Sequence, residues 1–260
     1  MIFFDMPNIK WIISDISEMT KRNLKRYARL PQLLVFSTIQ PVMFVLLFTY
    51  VFGGAIMVQT ENYISYLLPG IIVQAVLFGS MMTGVGLADD LSKGMIDRFR
   101  SLPMARSAVL AGRTISDILR NIFVVSLMVL VGYIIGFRYE NGFFNFFFGL
   151  SLAVLFGFAF SWISATIGIL VKNVETAQSA GFIWVFPLVF ASSIFVPVET
   201  MPSGLKTFAE INPITATANS VRGLFLGGPV SDYVWQSLFW IFAILVVFIP
   251  LAIYFYRKLS

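Results

Sequence analysis

Residues 62–88 read NYISYLLPGIIVQAVLFGSMMTGVGLA and residues 89–106 read DDLSKGMIDRFRSLPMAR. The first stretch carries no Asp, Glu, Lys or Arg over 27 residues, more than the about 20 apolar residues that cross a bilayer as one helix. A charge at the bilayer centre costs at least about 2.5 kcal/mol, so such runs are selected for crossing. The second stretch switches abruptly to dense alternating charge. Within it Leu91, Met95, Phe99 and Leu102 recur at helical spacing until Pro103 stops the helix. A membrane helix that runs straight into a short charged amphipathic helix sets the frame for the rest of the chain.

Five further stretches lack charge: 30–60, 121–137, 141–171, 176–198 and 233–256. The 121–137 stretch is short and borrows the turn before it, where Asp117 and Arg120 sit at i, i+3, the pair partly neutralising itself and Arg120 snorkelling to a membrane face. The expected fold is an all-α polytopic membrane protein with six transmembrane helices, about 32–53, 64–87, 114–136, 145–170, 178–197 and 235–256. Residues 1–30 form an N-terminal amphipathic interfacial helix, and 31–260 a single membrane domain. A short cytoplasmic helix lies between spans 2 and 3, and short outer helices lie between spans 5 and 6.

Composition agrees. The 260 residues are 58% hydrophobic and 12% charged, against about 45–50% and about 25% in a soluble domain. Zero cysteines exclude a disulfide scaffold and a thiolate site, and zero histidines remove the usual general base and the commonest metal ligand. No G-x-x-x-x-G-K-[ST] phosphate loop occurs, so ATP hydrolysis by this chain alone is not expected.

The net charge of +5 is a topology signal. With six spans, fifteen Lys and Arg residues fall on the side of the termini, and only Arg138, Lys206 and Arg222 on the other. The positive-inside rule then places both termini in the cytoplasm. These basic residues line a membrane face, which sets a nucleic-acid partner aside. The first apolar run follows a long basic helix, so span 1 reads as a signal anchor that stays.

On a helical wheel of residues 8–29, Ile9, Ile12, Ile13, Ile16, Met19, Leu24 and Tyr27 share one arc, opposite Lys10, Asp15, Glu18, Lys21, Arg22, Lys25, Arg26 and Arg29. Trp11 is the misfit on the polar face. Such a helix fits a membrane surface or a lever against a cytoplasmic partner. Between spans 5 and 6, Met201-Pro202 leads into 205–211 and Asn212-Pro213 into 214–226, with Gly227-Gly228-Pro229 closing the second piece.

The middles of the expected spans lack charge, which argues against a proton relay. Their polar residues are Gln40, Gln74, Thr83, Ser161, Ser164, Thr166, Ser192 and Ser193, mostly suited to helix–helix hydrogen bonds. Phe186 and Phe190 flank Pro187 and are candidates for lining a cavity. Aromatic walls without charge suit a large hydrophobic substrate.

The chain resembles the membrane subunit of type-2 ABC exporters, in the daunorubicin-resistance permease family. The resemblance rests on Pro31–Ser37 with Gln40-Pro41, on Tyr66-Leu67-Leu68-Pro69-Gly70, and above all on the block Asp90–Arg106. It continues through Phe195-Val196-Pro197, Met201-Pro202, Asn212-Pro213 and Val221-Arg222-Gly223. It implies two six-span subunits, identical or related, above two ATPase subunits that bind ATP and magnesium. It implies a coupling helix at about 90–102, with Asp90, Leu91, Lys93, Met95, Asp97, Arg98, Phe99, Arg100, Leu102, Pro103 and Arg106 as ATPase-coupling residues. Helix 8–29 is the second contact. Spans 2 and 5 would line the path, with Gln74, Phe78, Phe186 and Phe190 as substrate-path residues, and spans 1 and 5 would join the subunits. The expected protein is a permease in a prokaryotic cytoplasmic membrane, among lipids, exporting a hydrophobic or amphipathic drug, polyketide, lipid or glycolipid. An ATPase-independent carrier and a non-transporting scaffold or immunity protein are the alternatives; an intramembrane enzyme lacks its nucleophile–base pair.

Overall fold

In the computed structural model the described residues are 9–29, 31–54, 56, 62–95, 98, 106–228 and 230–258. Among them every regular element is helical: α1 (Ile9–Arg29), α2 (Pro31–Leu47, continued by a π-turn over Phe48–Phe52), α3 (Tyr63–Ser92), α4 (Arg106–Ile135), α5 (Gly142–Val171), α6 (Val174–Phe190), α7 (Ser203–Ile211), α8 (Pro213–Leu226) and α9 (Ser231–Lys258).

The uncharged run quoted above becomes α3, about 45 Å long at 1.5 Å per residue and buried along most of its length. It is the central post. Helices α2, α4, α5, α6 and α8 all pack against it, while α9 covers α5 and α8. The closest crossing is with α5. A Cβ on Gly84 would lie 2.2 Å from the Ser164 carbonyl oxygen, and one on Gly168 would lie 2.2 Å from that of Gly84. Small residues let the two backbones touch.

Helices α3, α4 from Ala108, α5 and α9 are each long and apolar enough to cross a membrane. Thr38–Phe52 and Val174–Phe190 are shorter apolar helices. The expected 178–197 span is therefore corrected: α6 runs from Val174 and ends at Phe190. Pro187 lies in its last turn, and residues 191–197 beyond it are non-helical, before a single 3-10 turn at Val198–Thr200.

That irregular stretch survives because side chains from other helices take its carbonyls. Asn212 donates to the Leu188 and Ala191 carbonyls at 2.8 and 2.9 Å. Tyr63 donates to Phe195, and Tyr66 to Ser193, each at 2.9 Å. Arg222 adds bonds to the carbonyls of Tyr66 and Ser193 at 2.9 and 3.0 Å, with its guanidinium 3.7 Å from the Tyr66 ring centre. Covered in this way, irregular backbone can lie inside an apolar bundle. The two Pro-led helices after it, α7 and α8, fall close to the expected pieces. Asn212 also caps α8 by accepting from the Ile214 N–H at 2.9 Å.

Helix α1 forms over the residues that the amphipathic wheel marks, but its buried face differs. Met19, Thr20, Asn23 and Tyr27 are buried and α1 packs on α4, whereas Ile13 is 61% exposed. A protein surface covers the C-terminal half of α1, and a stripe including polar residues faces inward.

Candidate functional site: a charged clamp and an aromatic strip

The clamp forms where α1 meets the C-terminal end of α3 and the N-terminal end of α4. Asp90 is buried, with Arg22 at 3.1 Å, Arg26 at 3.4 Å and Arg113 at 3.9 Å. Asp89 pairs with Arg26 at 2.5 Å and with Lys93 at 2.8 Å. One layer deeper, Asp117 lies 3.5 Å from Arg120, both almost fully buried. Tyr27 donates to one Asp117 oxygen at 2.8 Å, and the Thr83 hydroxyl to the other. Burial first, and then the Asp117 carboxylate, push the Tyr27 phenol up, which keeps it protonated as a donor.

Arg120 also donates to the Gly79 carbonyl, and Arg113 to that of Met82 at 3.0 Å. Gly86 gives Arg113 its room, since a Cβ there would fall 1.6 Å from the guanidinium. The expected snorkelling of Arg120 is therefore corrected: the side chain turns inward because Asp117, Gly79 and Tyr27 supply its partners. A buried charge needs such partners.

The stretch expected to act as the coupling helix begins at this clamp. Helix α3 continues through Asp90 and Leu91 to Ser92, so the expected start of the coupling helix at residue 90 lies inside α3. Lys93 and Gly94 make the turn, with Gly94 at φ +62°. Met95 resumes helical geometry, and the Arg98 N–H reaches the Gly94 carbonyl at 3.4 Å. Leu91 and Met95 pack on the core around Met19, Leu87 and Leu110. Arg106 opens α4. Asp97, Phe99, Arg100, Leu102 and Pro103 lie outside the described residues.

The substrate-path candidates divide. Phe78, Phe186 and Phe190 come together: Phe78 meets Phe186 edge-on at 5.8 Å, and Phe186 stacks on Phe190 at 5.5 Å. Phe182 extends the row at one end, and Phe195 and Phe48 at the other, at 5.3, 5.6 and 4.6 Å between successive neighbours. Phe186 and Phe190 remain 42% and 50% exposed. Gln74 is buried within α3, its amide oxygen without a partner among the described residues.

Below the strip a cavity of about 300 Å³ between α2, α3 and α6 is lined by Gln40, Phe78, Met81, Met82, Gln178 and Phe182 among others. An apolar groove of about 480 Å³ between α4 and α5, around Ile118, Ile122, Phe147 and Leu150, shares no residue with it. Among the described residues there is no group of acidic side chains that could hold a metal ion.

Tyr27, Thr83, Asp89, Arg113 and Asp117 are the residues of this cluster that the sequence reading did not place in a site, although it paired Asp117 with Arg120. The signal is a second periodicity. Thr20, Asn23 and Tyr27 repeat at i, i+3, i+7 on α1, and Arg113, Asp117 and Arg120 at i, i+4, i+7 on α4.

The ABC-2 type transporter family matches residues 14–226. "Daunorubicin resistance ABC transporter permease protein DrrB1" of Streptomyces coeruleorubidus is 36% identical over 91% of this chain and 84% of its own length. "Probable doxorubicin resistance ABC transporter permease protein DrrC" of Mycobacterium tuberculosis is 26% identical over 93% of this chain and 87% of its own. "Putative transport permease ycf38" of Cyanophora paradoxa is 26% identical over 83% and 75%. A chain whose described residues form helices without strands, with a charged block following the first of its four long apolar helices and a family match over most of its length, is a member of the ABC-2 type transporter family.

Proposed function

We propose that this chain is the membrane-spanning permease subunit of an ATP-driven exporter. Four long apolar helices and two shorter ones supply six spans, with both termini in the cytoplasm of a prokaryotic cell. Two such subunits, identical or related, stand above two ATPase subunits, which bind ATP and magnesium and hydrolyse the nucleotide. The cargo is a hydrophobic or amphipathic compound, in keeping with the drug-resistance names of the relatives. It moves along the uncharged aromatic face of α3 and α6.

The observation that carries this reading is the position of the clamp. Asp89 and Asp90 tie α1 to the last turn of α3, and the coupling segment leaves from the next turn. A push on that segment from an ATPase acts on α1, α3 and α4 as one body. Asp97, Arg98 and Arg100 are the proposed contacts with the ATPase.

The test is purification of the tagged chain in mild detergent from its own membrane. A co-purifying phosphate-loop ATPase with vanadate-blocked ATP turnover is the expected result. A chain that purifies alone, or only with itself, across several detergents contradicts it.

A further inference from the structure

Behind the clamp lies a second cavity, of about 230 Å³, between α1, α3, α4 and the start of α6. Arg26, Lys93, Arg113 and Arg120 line it, with Asp89 as the one lining carboxylate among the described residues. Counting the groups behind the wall, Arg22, Arg26, Lys93, Arg113 and Arg120 face Asp89, Asp90 and Asp117. The cluster therefore carries two positive charges beyond its internal pairs. Arg113 and Arg120 are only 6% and 4% exposed, and the Nε of each has no hydrogen-bond partner among the described residues. Val174, the first residue of α6, also lines the cavity; that helix start is capped by Asn173 and carries Glu175 in its first turn. Planar guanidinium groups and an ammonium together suit an oxyanion.

This cationic cavity adjoins the aromatic one. Both are lined by Met82 and Val85, which lie on one face of α3 at i, i+3. A ligand with its head among the arginines can lay its body over Met82, Phe78 and Phe182 without crossing a helix. No charged side chain lines the aromatic cavity among the described residues, and Gln40 and Gln178 offer neutral hydrogen bonds there. The Phe182–Phe186–Phe190–Phe195–Phe48 row leads onward from it.

We infer that the two cavities form one amphipathic binding track for a molecule with an anionic head, phosphate or carboxylate, and an apolar body. This deepens the exporter reading and rests on it only for the direction of travel.

Binding is measured on the full chain, in discs of neutral lipid, without ATP or ATPase. The probes are dodecyl phosphate, dodecyltrimethylammonium and inorganic phosphate. Dodecyl phosphate is expected to bind about tenfold more tightly than the ammonium probe, as charge-assisted contacts require, and inorganic phosphate at equal concentration does not displace it. Lys93→Gln, at a partly exposed rim position, weakens dodecyl phosphate about fivefold and leaves the ammonium probe unchanged. Val85→Glu, which sets a carboxylate at the waist, abolishes dodecyl phosphate binding in protein that still elutes as a single sharp species. Equal or tighter binding of the ammonium probe, or no effect of Lys93→Gln, overturns the inference. Displacement by equal inorganic phosphate reduces the site to a plain phosphate site and overturns it too. Because ATP is absent, a negative result here leaves the exporter reading standing, and a chain with no ATPase partner leaves a positive result standing.

Discussion

Tyr27 on the N-terminal helix donates a 2.8 Å hydrogen bond to Asp117 in the middle of α4, 90 residues further along the chain. This bond closes the deep layer of the clamp. Asp117 accepts from Tyr27 and Thr83 and faces Arg120, so its charge is tolerated out of water only as part of the set. Tyr27→Phe keeps the ring and removes the donor. It should cost about 1–3 kcal/mol, the range for leaving one buried partner short. Thermal unfolding in detergent should show the loss, and limited proteolysis should cleave α1 earlier than in the wild type. An unchanged α1 would mean that Met19 and the Arg22 and Arg26 ion pairs hold it without this bond.

The α3–α5 crossing should be intolerant of a single methyl. Gly84→Ala places a Cβ 2.2 Å from the Ser164 carbonyl oxygen, and both backbones must part. A loss of about 1–3 kcal/mol is expected from such overpacking. Gly54→Ala, where nothing lies within 4 Å, is the control and should unfold with the wild type.

Asn212 holds three backbone groups at once: it donates to Leu188 and Ala191 and accepts from Ile214. Asn212→Ala should therefore lower stability by about 1–3 kcal/mol and loosen the turn after Phe190. Asn212→Asp keeps the acceptor for α8 but not the donors, so it should recover little of the loss. Full recovery by Asn212→Asp in thermal unfolding would place the weight on the α8 cap instead.

Much of the architecture was legible because the bilayer imposes a one-dimensional rule. The run 62–88 had to be a helix, and the Pro-led starts at 202 and 213 bounded α7 and α8 closely. The end of α6 was not legible. Residues 191–197 are apolar enough to continue the span, and what stops them is carbonyl capture by Asn212, Tyr63, Tyr66 and Arg222, from distant parts of the chain. Arg120 was misread for the same reason. Its partner at i−3 is visible in sequence, but the Gly79 carbonyl and Tyr27 are tertiary. The row of Phe186 and Phe190 could be read from helical spacing, whereas its extension through Phe195 to Phe48 depends on the turn that ends α6.

Coupling is tested most directly by transport in vesicles that hold this chain with the proposed ATPase, comparing the wild type with a double variant, Arg98→Glu and Arg100→Glu. Charge reversal at the coupling segment should abolish ATP-driven uptake into inside-out vesicles, while the variant inserts, elutes and unfolds as the wild type does. Wild-type uptake by the double variant would contradict the assignment of this segment as the place where the ATPase acts.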